Sequence, residues 1–179
     1  MKCGISEGLF AVVPVREQCP DQMSNAAAGR SRLRSKLLFQ ENQLKSLALV
    51  FDKNDDVVPL LLQFAEQNNI SSARLSGIGA FQRVRLGYFD RERRQYQPIE
   101  INEQVELLSL IGNLARSGGK AKLHAHAIVG KRDGTALGGH LLGGTVWPTM
   151  EIMVVETPAY LQRTIDDEDT GLALLDVAA

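Results

Sequence analysis

The sequence predicts an α/β chain of the α+β kind: a mostly antiparallel sheet with one main helix, in a single compact domain. Three observations carry that prediction. Strand-like segments follow one another with short polar connections, which suits antiparallel pairing. One segment, residues 57–65, repeats its apolar residues at helical spacing. The chain has 179 residues, 44% of them hydrophobic and 23% charged, enough for one domain with a real core.

Residues 1–34 read as a leader outside that domain, which spans residues 35–179. The leader lacks periodicity and contains MSNAAAGRSR, rich in small and polar residues. Such a stretch buries too little apolar surface to order itself. Its basic run, Arg30, Arg32, Arg34 and Lys36, reads as solvated chain, with contact to nucleic-acid phosphate as the sharper alternative. Ile5 to Val15 is interrupted by Glu7 and Pro14 and makes a poor signal peptide. No apolar run approaches the roughly 18–20 residues of a membrane-spanning helix. Cys3 and Cys19 are the only cysteines. They suggest neither a disulfide framework nor a cysteine zinc site, and a reducing cytoplasm is the natural setting. Net charge is −1, which gives no general electrostatic footprint for nucleic acid.

From Ser35 the pattern becomes regular. Lys36–Gln40 and Ser46–Phe51 read as two strands around a polar turn. Asp55 or Asp56 caps the helix that follows. Val57, Leu60, Leu61, Phe64 and Ala65 form its apolar stripe, with Pro59 in the tolerant first turn and Asn68–Asn69 at its end. Ser72–Ile78 and Gln82–Phe89 are the next strands, with Gly77 and Gly79 marking a bend or bulge. SGIGAF is no phosphate loop, since it lacks Gly-Lys-Ser/Thr and precedes a strand. Arg91–Arg94 makes a charged turn, then Gln95–Ile101 and Val105–Leu114 continue the sheet. Residues 120–130 and 135–142 form a hairpin, followed by a strand at Thr149–Glu156. Tyr160–Ile165, an acidic turn at Asp166–Asp169 and Gly171–Leu175 close the chain.

All three histidines lie in the hairpin: His124, His126 and His140, within LHAHAIVGKRDGTALGGHLLGG. Side chains i and i+2 share a strand face, so His124 and His126 point the same way. A three-residue loop, Arg132-Asp133-Gly134, pairs Lys131 with Thr135 and sets His126 opposite His140. A two-residue loop turns His140 to the other face. The cluster favours the longer loop, with Gly134 in the bulge position, although Gly138 and Gly139 are places where the register can loosen. Taken singly, each histidine is more simply a polar surface residue or a satisfied core residue. Three on one face make a candidate site for zinc or another divalent first-row metal, with one coordination position open. A cupin site is not indicated, because positions 130 and 131 are Gly and Lys rather than the expected downstream Glu.

Three functions compete. One is a metal-binding interaction or regulatory module. The second is a zinc-dependent hydrolase or lyase that activates water at the open position; Glu151 and Glu156 are its candidate general bases, each more simply a surface carboxylate. No catalytic residue is assigned, and this reading ranks behind the first. The third is DNA binding through Arg30–Lys36 with Arg83, Arg85, Arg91, Arg93 and Arg94, ranked lower because the domain is slightly acidic.

The opening strand pair and capped helix, LSGIGAF, LHAHAIVGKRDGTALGGHLLGG, EIMVVE and the closing DDEDTGLALLD together resemble the PPC (plants and prokaryotes conserved) domain. His-x-His followed by Gly-Gly-His is similar to its prokaryotic branch. The resemblance implies a compact α/β domain, a homotrimer, and a metal, zinc above all, on the histidines that match His124, His126 and His140. Plant members join the domain to AT-hooks. This chain has no AT-hook, so the DNA-binding label of the family transfers poorly.

Overall fold

Apolar residues at every second position of Leu44–Phe51 bury Leu47, Leu49 and Phe51 and leave their neighbours partly open. That alternation recurs through most of the chain and makes it a sheet with one buried face. The computed structural model of the protein describes residues 33–42, 44–157, 162–164 and 169–176. The leader up to Arg32, with both cysteines, and residues 165–168, where the sequence places most of its acidic turn, lie outside the described residues.

The elements are β1 (Arg34–Glu41), β2 (Leu44–Phe51), α1 (Val57–Gln67), β3 (Ala73–Asp90), β4 (Gln95–Ile101), β5 (Val105–Ser117), β6 (Lys120–Gly130), β7 (Ala136–Glu156), β8 (Gln162–Thr164) and β9 (Leu174–Asp176). Together they form an α+β domain around a single sheet. Every ladder is antiparallel except the contact of β8 with β5, which is parallel.

Two strands are longer than the sequence indicates. Ser72–Ile78 and Gln82–Phe89 are one strand, β3, and the stretch between residues 142 and 149 joins β7. The separating glycines bend these strands without ending them. The register slips between Gly77 and Gly79 against β5, and between Gly79 and Phe81 against β7. Such bulges curve a strand while its ladder continues. As a result the first half of β3 lies between β7 and β5, and its second half between β7 and β4. Because β6 pairs with both β5 and β7, the ladders close a ring, β3–β5–β6–β7–β3. Near the chain's end, β8 falls within the expected Tyr160–Ile165, whose other residues lie outside the described ones, and β9 is shorter than the expected Gly171–Leu175 and ends one residue later.

Helix α1 packs against β6 and β7 through Val57, Leu61, Phe64 and Ala65, all buried. Leu60, placed on the same stripe by its spacing, is only partly buried. Asp56 occupies the N-cap position without a side-chain cap bond. Its Oδ1 instead accepts a 3.0 Å bond from the Thr145 hydroxyl, which ties the helix start to β7. Asp55 accepts from the Asp52 N–H at 3.0 Å, stiffening the turn before the helix. At the other end Asn69 takes a left-handed φ of 55° and the helix stops. Glu66 holds the β5–β6 turn, accepting 2.6 Å from the Ala121 N–H and pairing with Arg116 at 2.9 Å.

Phe51, Phe81, Leu49, Leu86 and Leu110 are fully buried, as is Leu61 of the helix stripe. Each stabilises the fold by roughly 1.5–3 kcal/mol relative to exposure. Among the described residues the opposite face of the sheet has no such cover: Ile78, Leu108, Ile111, Met153 and Val155 are between 41% and 60% exposed. Among the described residues no helix is long and apolar enough to cross a membrane.

Candidate metal centre

The β6–β7 hairpin has the geometry that the odd-length loop demands. The Gly134 N–H donates to the Lys131 carbonyl at 2.9 Å, and the Lys131 N–H donates to the Thr135 carbonyl at 2.9 Å. Gly134 has φ 84°, a conformation that disfavours a side chain. Gly130 then faces Ala136, and the pairing runs unbroken to His126 opposite His140. Gly138 and Gly139 sit within this ladder opposite Ile128 and Ala127 and do not loosen it.

The three imidazoles converge. Ring centroids are 5.3 Å apart for His124–His126, 5.3 Å for His124–His140 and 5.4 Å for His126–His140. One nitrogen from each lies within 4.8 Å of the other two. A tetrahedral zinc with bonds of 2.0–2.1 Å holds its nitrogens roughly 3.3 Å apart. Small rotations of the three rings cover the difference.

The chemistry of the donors fits a metal as well. Burial, chiefly, and then the neighbouring His124, His126 and Arg163 push the His140 pKa down to about 4. Burial, with Arg163 and His126 behind it, also lowers His124. Neutral imidazoles offer the lone pairs that a cation needs. The buried Nδ1 of His140 has no hydrogen-bond partner, an orphan that a metal bond satisfies.

Other residues surround the rings. His124 faces Asn113 on β5, and His126 faces Ile111. Between them Gly112 faces Ala125, and a side chain at 112 meets the His124 carbonyl oxygen at 2.5 Å. Only glycine allows β6 to lie this close. Tyr96 of β4 stacks on His140, with centroids 4.4 Å apart and planes 25° apart. Arg163 of β8 bonds Asn113 Oδ1 at 2.6 Å through Nη2.

Sequence reasoning missed Tyr96, Asn113 and Arg163. Tyr96 and Arg163 sit far from the hairpin in sequence and carry no motif. Asn113 was legible only through the register of β5 against β6.

The candidate bases are not brought to the centre. Glu151 faces Val50 and Ile78, and Glu156 faces Ala73, on the half of β7 remote from His140 in the ladder. Among the described residues the ligand cluster contains no carboxylate. The basic residues form no single stripe. Arg34 pairs with Asp52 at 2.6 Å and Arg93 with Asp90 at 3.8 Å. Arg83 and Arg85 line a cavity that also holds Asp56 and Glu100. Arg30 and Arg32 lie outside the described residues.

Solved structures share this architecture. A protein from Archaeoglobus fulgidus described as metal-containing is 33% identical, with a TM-score of 0.69 over 79% of this chain and 98% of its own. A proposed DNA-binding protein from Bacteroides thetaiotaomicron is 27% identical, with a TM-score of 0.74 over 80% of this chain and 96% of its own. The plant- and prokaryote-conserved (PPC) protein from Pyrococcus horikoshii is 27% identical, with a TM-score of 0.68 over 84% of this chain and 97% of its own. No curated protein matches the chain. The sequence profile of the Plants and Prokaryotes Conserved (PCC) domain matches residues 39–158, a span that holds all three histidines. By its sequence and by its fold, the chain belongs to the Plants and Prokaryotes Conserved (PCC) domain family.

Proposed function

We propose that the protein is a homotrimeric, metal-holding regulatory or interaction module, with zinc on His124, His126 and His140. The observation that carries this reading is the convergence of three imidazole nitrogens within 4.8 Å. The metal-containing relative of 33% identity supports it. Three imidazoles leave a tetrahedral ion one position for an outside ligand.

The trimer rests on the uncovered face of the sheet. Ile78, Leu108, Ile111 and Met153 line one exposed groove. Ile111 is also the neighbour of His126, so this apolar surface reaches the metal centre. Contiguous apolar surface of this kind marks an interface. Copies of one chain related by a closed rotation bury it on every subunit.

DNA binding is the second regulatory route, supported by the description of the Bacteroides relative. It stands behind the first because Arg83, Arg85 and Arg93, three of the arginines it would use, are paired with, or share a cavity with, carboxylates. Among the described residues the enzyme reading has no carboxylate in the histidine cluster. A cytoplasmic setting follows from cysteine use alone.

Zinc titration against a chromophoric chelator tests the centre. One zinc per chain is expected for the native protein and none for His124→Ala/His126→Ala. Equal uptake by both proteins contradicts the assignment.

A further inference from the structure

A cavity of about 330 Å³ opens between the histidines and the β8–β9 ribbon. Its wall includes Tyr96, Lys122, His124 and His140, Arg163 of β8, and residues 171–174. The volume is at the lower end of the range for small-molecule sites, about 300–1,000 Å³. Its charge is one-sided. Among the described residues Lys122 and Arg163 line it, and no carboxylate does.

Arg163 is the telling residue. It is only 8% exposed, and arginine stays protonated in proteins. Among the described residues it bonds to neutral acceptors, Asn113 Oδ1 at 2.6 Å and the Ala173 carbonyl at 3.0 Å. Its Nε–H is buried without a partner. Among the described residues no carboxylate pairs with it. A buried guanidinium with neutral partners and a spare donor is a charge waiting for an anion. The remaining wall is apolar: Leu123, Leu172, Ala173 and Leu174.

We propose that this cavity takes a small organic acid, its carboxylate held by Arg163 beside the histidine centre and its carbon chain lying on Leu123 and Leu172. The proposal rests on the metal-centre reading only for the second partner of the carboxylate. Tyr96 presents a hydroxyl and Lys122 an ammonium at the same wall, and both donate to an anion. The apolar side selects against inorganic phosphate, which gains nothing from leucine. In a regulatory module such a ligand is a signal metabolite bound at the open metal position.

The test uses the full chain loaded with cobalt(II), whose visible bands report its ligands, and calorimetry on the same samples with and without metal. Acetate, butyrate and inorganic phosphate are titrated in turn. Butyrate is expected to bind tightest and to shift the cobalt bands. Arg163→Gln is expected to weaken butyrate tenfold or more at unchanged metal content and native mass, with Arg163→Lys restoring part of the loss. Lys122→Glu, at an exposed position that does not threaten folding, is expected to weaken it several-fold. Cobalt uptake without butyrate binding overturns the proposal and leaves the centre standing. So does phosphate binding as tightly as butyrate, or equal butyrate affinity in native protein and both charge-changing variants. Butyrate binding that depends on Arg163 in a chain that takes no metal supports the pocket and overturns the centre.

Discussion

His126 stands directly opposite His140 across the β6–β7 ladder, and a loop of three residues puts it there. The loop closes through Gly134 at φ 84°. A β-branched residue is strained in that conformation. Gly134→Val is expected to destabilise the domain by about 1–2 kcal/mol, read as a lower urea midpoint with an unchanged slope. Deleting Asp133 leaves a two-residue loop, shifts the register and turns His140 away from its partners. That variant is expected to lose zinc uptake, and retained stoichiometric zinc would show that the register does not set the site.

Gly112 controls the approach of β5 to the strand bearing His124 and His126. A valine there meets the His124 carbonyl and the Ala125 backbone, so β6 must move. Gly112→Val is expected to weaken metal binding by more than tenfold in chelator competition. Unchanged affinity means the strand has room that the geometry denies.

The metal-free protein is expected to lose stability as pH falls from about 6.5 toward 4. In the fold His140 titrates near 4, against an ordinary value of 6.5. Between those values the unfolded chain binds a proton there that the folded chain does not, so stability rises with pH through this window. The shift comes first from burial and then from His124, His126 and Arg163. Thermal unfolding at steps of pH checks this. His140→Phe removes the titrating group and is expected to flatten the dependence, whereas an unchanged slope assigns it to other groups.

Much of this arrangement was legible in the sequence, for a physical reason. Strand parity put His124 and His126 on one face, and the three-residue loop, favoured over a two-residue one because the histidines cluster, set His140 opposite His126 as the ladder has it. The helix stripe of Val57, Leu61, Phe64 and Ala65 was equally plain. The ends of the long strands were not, because Gly79 reads as a break when in fact it bends a continuing ladder. The cap was half legible: Asp56 holds the position but spends its carboxylate on Thr145, 89 residues away. Arg163 and Tyr96 were hidden, since nothing local in a strand announces which distant residue its far end will meet.

The uncovered face gives a further outcome. Ile111→Asp places a charge where an apolar interface is proposed, at a position 60% exposed in the single chain. The fold itself is expected to tolerate it. Sedimentation velocity should show a folded species of one-chain mass, with the far-ultraviolet circular dichroism kept. A variant with the native mass places the subunit contact elsewhere.

Native mass spectrometry of freshly purified protein, with the metal identified by elemental analysis, tests the central claim most directly. A trimer carrying three zinc ions is expected, and a trimer carrying none for His124→Ala/His126→Ala. A monomer, or a trimer that binds no divalent metal and is unaffected by the double substitution, contradicts it.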